Sequence, residues 1–292
     1  MESKSQLVQT TTKDDLILSG IYLEGDKDKE AIIFIHGFTS DFYAHKFYHV
    51  LSDRVGENGN SIVLAQNRGT GICTEVLKSN RSDSEYLGSY YEKLEEAHLD
   101  ISAWIEFLKN EGYSKFILAG HSLGTIKSVR YLFEGQHKAL ISKLILFAPF
   151  DKNGYIERKT KGEWHEHLKV AEQKIKDGKE LEIIPDTFDD FPMTFRTYYS
   201  WYREYDLNSI WDFYKSEYIS PILKQISIPV KVIVGSNDDD FYTKGLGGSL
   251  EKSVQYLKNN IFDLEIDIIN GANHTYVGLE NDLADSVLNF LN

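Results

Sequence analysis

Cysteine is almost absent: Cys73 is the only one in 292 residues. That excludes an internal disulfide and leaves no thiolate cluster for a metal, and a reducing compartment is the simplest expectation. The chain also lacks any run near the roughly 20 apolar residues that a membrane-spanning helix needs. Its first residues, MESKSQLVQTTTKDD, have no apolar core of signal-peptide length. The expectation is a soluble, cytoplasmic protein. Basic charge is scarce too. Against 45 Asp and Glu stand 32 Lys and Arg, a net charge of −13, which argues against nucleic acid or an anionic membrane as partner. There is no internal repeat and no low-complexity segment, and nothing speaks to the oligomeric state.

What is present reads as one α/β domain carrying an insertion. Continuous apolar runs such as AIIFIHG (31–37), SIVLAQN (61–67), KFILAGHS (115–122), ISKLILFAP (141–149) and IPVKVIVGSND (228–238) suit strands buried on both faces. LEIDIING (264–271) reads as a last strand, and residues 15–25 as an early, antiparallel one. Segments of helical spacing lie between them, including one long helix predicted across residues 85–112. Strands alternating with helices predict a mostly parallel sheet covered on both faces. From 151 to 224 the rhythm breaks into a charged helix and an aromatic-dense stretch, FRTYYSWYREYDLNSIWDFY. This reads as a helical lid dividing the core into residues 1–150 and 225–292.

The stretch LAGHSLGT (118–125) leaves a strand, places Ser122 between two glycines and starts a helix at once. A G-x-S-x-G pentapeptide at a strand-to-helix junction is a nucleophile elbow: the glycines let strand and helix approach, and the serine is presented above the sheet. A serine at its ordinary pKa needs a base and a group that orients the base. Of nine histidines, His165 and His167 lie on a charged helix, His45, His49, His98 and His137 sit in or at the ends of helices, and His36 and His121 belong to other motifs. His274, in GANHTY after the last strand, is the candidate base. VGSNDDD offers the acid. Asp238 has the usual spacing from Gly235, Asp239 is the alternative, and Asp240 reads as a loop-solvating or capping residue. Backbone N–H groups of Phe38, in FIHGFTSD, and of Leu123 are positioned to meet a carbonyl oxygen as it becomes charged.

These four motifs, in this order over about 240 residues, resemble the α/β-hydrolase superfamily. The resemblance implies an eight-stranded, mostly parallel sheet, a Ser–Asp–His triad and no cofactor or metal. ILFAPFD with EHLKVAEQKIKDGKE and IIPD is similar to a branch that includes fungal siderophore esterases and bacterial ester hydrolases, and HGFT is similar to cinnamoyl and feruloyl esterases. Where many of those have Asp-x-x-Gly-x-Gly, this chain has QNRGTGIC. Asn67 replaces the aspartate, and Arg68 either holds a loop or meets a substrate anion.

In the lid, Tyr198, Tyr199, Trp201, Tyr202, Tyr205, Trp211 and Tyr214 are crowded together. Most would fasten the lid to the core. One or two would line a pocket, for which Tyr198, Tyr199, Trp201, Tyr202 and His121 are the candidates, suited to a bulky, partly polar group. The expected partner is a small-molecule ester or lactone of natural-product type, siderophore or macrolide, cleaved through an acyl-enzyme. Thioester, amide or carbon–carbon hydrolysis could use the same residues, and a hydrolase-fold binding protein is the non-catalytic alternative.

Overall fold

The computed structural model describes residues 5–203, 206–213, 217–239 and 248–292; Tyr205, Tyr214 and Asp240 lie outside them. Strands β1 (Ser5–Thr11) and β2 (Ile17–Leu23) form an antiparallel pair. β3 (Ala31–Ile35), α1 (Lys46–Glu57) and β4 (Ile62–Ala65) follow. A small hairpin of β5 (Thr74–Leu77) and β6 (Ser84–Leu87) stands apart from the main sheet. Next come α2 (Ala97–Asn110), β7 (Phe116–His121), α3 (Leu123–Glu134) and β8 (Ile141–Phe147). Helices α4 (Lys152–Thr160), α5 (Trp164–Lys176) and α6 (Phe195–Tyr202) fall between β8 and β9 (Val230–Gly235). Then α7 (Leu250–Asn260), β10 (Leu264–Ile269) and α8 (Glu280–Leu291) complete the order.

Eight strands form one sheet in the order β1-β2-β4-β3-β7-β8-β9-β10. β1 and β2 are antiparallel to their neighbours, and every pair from β4 to β10 is parallel. The side-chain period of two sorts each strand between two cores. Ile33 and Ile35 of β3 join Trp104, Ile105 and Ile126 on the α2–α3 face. Ile32 and Phe34 join Phe47, Leu51, Leu283 and Val287 on the face covered by α1 and α8. Burying each such side chain contributes about 1.5–3 kcal/mol, which is why this strand is apolar throughout.

Two differences from the sequence reading have physical causes. The helix predicted over 85–112 starts only at Ala97. Gly88 has φ +100°, and Ser84–Leu87 is paired with Thr74–Leu77, so the helical spacing of residues 85–96 is overridden by hairpin pairing. β1 carries no strand signal in the sequence because its side chains are mostly exposed and only Leu7 and Val8 are apolar; its pairing with β2 creates it. Among the described residues no helix is long and apolar enough to cross a membrane. Because the central strands run parallel, the loops after β3, β7, β8, β9 and β10 emerge at one edge, where ligands of such sheets bind.

Candidate active site

At the end of β7 the backbone of Ser122 has φ 54° and ψ −121°, a conformation that costs a non-glycine residue about 1–3 kcal/mol. The flanking glycines make the turn possible. A Cβ on Gly120 would lie 2.3 Å from the Gly124 oxygen, and one on Gly124 would lie 2.3 Å from the Ile35 oxygen. Ser122 N–H donates to Phe147 O at 2.9 Å, tying the bend to the end of β8. Leu123 begins α3, so its N–H has no intrahelical acceptor.

The loop after β3 lies directly against this bend: a Cβ on Gly37 would sit 2.8 Å from Ser122 Cβ. Phe38 N–H makes no hydrogen bond among the described residues. His36 holds the loop through a fixed tautomer. Its Nδ1–H donates to Gly37 O (2.9 Å), and its Nε2 accepts from Asn67 N–H (3.3 Å). Asn67 Nδ2 donates to His36 O (3.2 Å), while its Oδ1 accepts from Lys127 Nζ (2.8 Å) and Gly69 N (3.0 Å). Lys127 also pairs with the buried Glu92. This explains the asparagine in QNRGTGIC, since an aspartate there would have no proton for the His36 carbonyl. Arg68 is bound by Asp100, Glu96 and Asp14 and is a loop-holding residue.

Burial, then the Lys127 charge, pushes His36 down to about 3, and burial likewise lowers His121 well below its ordinary value. Both stay neutral when folded and titrate near 6.5 when unfolded. The unfolded chain therefore binds more protons, and stability falls as pH drops through 6.5. Between pH 7 and 4.5 the His36 contribution is about 3 kcal/mol. Urea denaturation is expected to show wild type losing about that much more over this range than His36→Gln. Equal losses would contradict it.

The base and acid candidates meet through a second pair of loops. A Cβ on Gly235 would be 2.2 Å from Ala272 O; Asn237 N donates to Ala272 O (2.9 Å) and Ser236 N to Ile269 O (3.0 Å). These contacts lock the loop after β9 to the loop after β10. His274 Nδ1–H then donates to both carboxylate oxygens of Asp238 at 2.9 Å. Asp238 is fully buried and Asp239 exposed; the histidine's partner is Asp238. With Nδ1 as donor, the neutral ring keeps Nε2 as an acceptor.

Ser122 and His274 share a cavity of about 190 Å³ with Phe38, Thr39, Phe150, Tyr155, Phe191, Trp201 and Tyr202. Phe38 stacks edge-on against Phe191 (5.0 Å) and Trp201 (4.8 Å), so its side chain as well as its backbone faces the site.

Three pocket candidates do not line this cavity, which is a correction to the sequence reading. His121, at the end of β7, points into the α1–α8 face. It accepts from Tyr48 Oη at Nδ1 (3.2 Å) and donates from Nε2 to His274 O (2.9 Å). Tyr198 is buried against Phe188 and Tyr202, and Tyr199 is half-buried beside Arg203. Trp211 is buried and donates to Thr125 Oγ1 (2.9 Å). Sequence reasoning missed Thr39, Phe150, Tyr155 and Phe191. Phe150 lies three residues after β8 and Thr39 beside Phe38, which are the available signals, whereas Tyr155 and Phe191 meet only in the folded chain.

The family described as "Protein of unknown function (DUF1749)" matches residues 1–292. No curated protein matches the chain. Among solved structures, the esterase Pf2001 of Pyrococcus furiosus superposes with TM-score 0.61 at 18% identity, covering 99% of this chain and 91% of that one. Est1E of Butyrivibrio proteoclasticus with ferulic acid bound gives 0.65 at 16%, covering 97% and 98%. The α/β hydrolase GrgF of Penicillium sp. sh18 gives 0.67 at 17%, covering 99% and 98%. The fold is that of the α/β hydrolases.

Proposed function

We propose, for a chain that belongs to the DUF1749 family and has the α/β-hydrolase fold, hydrolysis of a carboxylic ester or lactone through an acyl group on Ser122. The observation that carries this reading is the His274–Asp238 hydrogen bond beside a cavity that Ser122 and His274 both line. Ser122 Oγ attacks the ester carbonyl as His274 Nε2 takes its proton, and Asp238 holds the imidazole in that tautomer. The developing oxyanion is met by the N–H groups of Phe38 and Leu123, each such donor being worth about 3 kcal/mol, and by the N-terminus of α3. Collapse expels the alcohol with the proton from His274. Water, deprotonated by the same imidazole, then releases the acid and restores Ser122.

Residues 151–224 act in this reading as a cap over the site, because Tyr155, Phe191, Trp201 and Tyr202 supply much of the cavity wall. A substrate of siderophore or macrolide size would place only a part inside 190 Å³, since pockets for whole drug-sized ligands run about 300–1,000 Å³. Est1E was captured with ferulic acid, an aromatic acid; the aromatic wall here suits an apolar acyl group small enough for the 190 Å³ cavity. The test is a panel of p-nitrophenyl butyrate, a butyryl thioester and butyranilide. Turnover of the oxygen ester above the other two is expected. Preference for the thioester or anilide would move the assignment to that bond, and no turnover by folded protein would leave a binding protein.

A further inference from the structure

The aromatic wall of the cavity depends on one carboxylate. Asp189, between α5 and α6, is 2% exposed, and no cation pairs with it among the described residues. Its Oδ1 accepts from Tyr155 Oη (2.9 Å) and from Phe191 N–H (3.0 Å), and its Oδ2 accepts from Tyr202 Oη (2.9 Å). A buried carboxylate without a counter-ion is costly unless donors surround it, and here three do. They come from α4, from the loop before α6 and from α6 itself, and all three residues line the cavity. Tyr202 Oη donates to Asp189, and the Tyr155 proton is shared between Asp189 and Asp190 Oδ2 (3.1 Å), so neither hydroxyl proton is available to a substrate. Among the described residues the cavity lining contains no Lys, Arg, Asp or Glu. A charged acyl group would enter without a partner, whereas an apolar one would meet rings.

We propose that Asp189 is the specificity-determining residue of this site: it locks Tyr155, Phe191 and Tyr202 into a rigid wall that admits a compact, uncharged, apolar acyl group. This rests on the ester-hydrolase reading above. The phenolic bonds make the wall rigid, so a longer chain meets fixed rings instead of displacing them, and a mismatch of one or two methylenes is worth about 10- to 200-fold in kcat/KM.

The test compares p-nitrophenyl esters from acetate to decanoate on wild type, Asp189→Asn and Tyr202→Phe. For wild type, kcat/KM is expected to fall at least about 10-fold from butyrate to octanoate. In Asp189→Asn that ratio is expected to shrink at least about 10-fold, chiefly through KM for the long ester, with a smaller shift in Tyr202→Phe. Folded variants that keep the wild-type ratio overturn the proposal, and Tyr202→Phe alone decides it if Asp189→Asn does not fold. Calorimetric binding of ethyl butyrate and ethyl octanoate to the same proteins separates the two readings. If no ester is turned over, the hydrolase reading fails. The wall is then judged by whether wild type still prefers butyrate and Asp189→Asn loses that preference.

Discussion

Ser122→Ala is expected to lower kcat for p-nitrophenyl butyrate by about 10⁴- to 10⁶-fold. KM should stay within a few-fold, because the aromatic wall that holds the acyl group is untouched. The melting temperature should hardly change, since Ser122 Oγ makes no hydrogen bond among the described residues and the strained bend is held by backbone contacts from Phe147 and by the closeness of Gly120 to Gly124. His274→Ala should cost about as much as Ser122→Ala, and the double variant should be no worse than either, because the residues act as a unit. Asp238→Asn should cost less than either; its amide NH2 can donate to His274 Nδ1 and favour the wrong tautomer. Additive losses in the double variant would show that the two side chains do not act in one step.

The second large effect is on stability. Arg68 is 2% exposed. It meets Asp100, itself fully buried, at 2.8 Å from Nη2 and through its own backbone N–H at 2.7 Å. Glu96 Oε2 lies 2.8 Å and Asp14 Oδ2 3.1 Å from Nη1. Burial acts against the charge, but these three carboxylates, Asp100 foremost, hold the guanidinium protonated well above its ordinary value. The cluster joins the loop after β4, the first turn of α2 and the turn before β2. Arg68→Met removes the cation and leaves the Asp100 carboxylate buried without it, a change worth about 3–5 kcal/mol and a fall in Tm of about 10 °C. Urea and thermal denaturation measure it. A loss below about 1 kcal/mol, with a selective drop in turnover of anionic esters, would instead make Arg68 a substrate contact.

The strands that were legible in the sequence are those buried on both faces, because a continuous apolar run such as Ala31–Ile35 has no other stable setting. The hairpin β5–β6 and strand β1 were not, because they are exposed and exist through partners distant in sequence. The same division runs through the site. Gly37, Gly120, Gly124 and Gly235 mark close backbone approaches, and such approaches demand glycine, so the strand ends carrying Ser122, Asp238 and His274 could be located by spacing. The cavity wall could not. Phe150, Tyr155 and Phe191 come from three segments, and the residue that hydrogen-bonds to all of Tyr155, Phe191 and Tyr202 is a carboxylate, Asp189, that nothing local distinguishes from its neighbour Asp190. Crowded aromatics mark residues 198–202, yet which of them face inward depends on the phase of α6. Trp201 and Tyr202 do, while Tyr198 packs beneath Tyr202.

The most direct measurement is covalent labelling of the folded protein with a fluorophosphonate probe, followed by intact mass and peptide mapping. One adduct per chain is expected, carried by the peptide containing Ser122, with labelling slowed by orders of magnitude in His274→Ala. Folded wild-type protein that takes up no probe, or takes it up on another residue, would contradict the account.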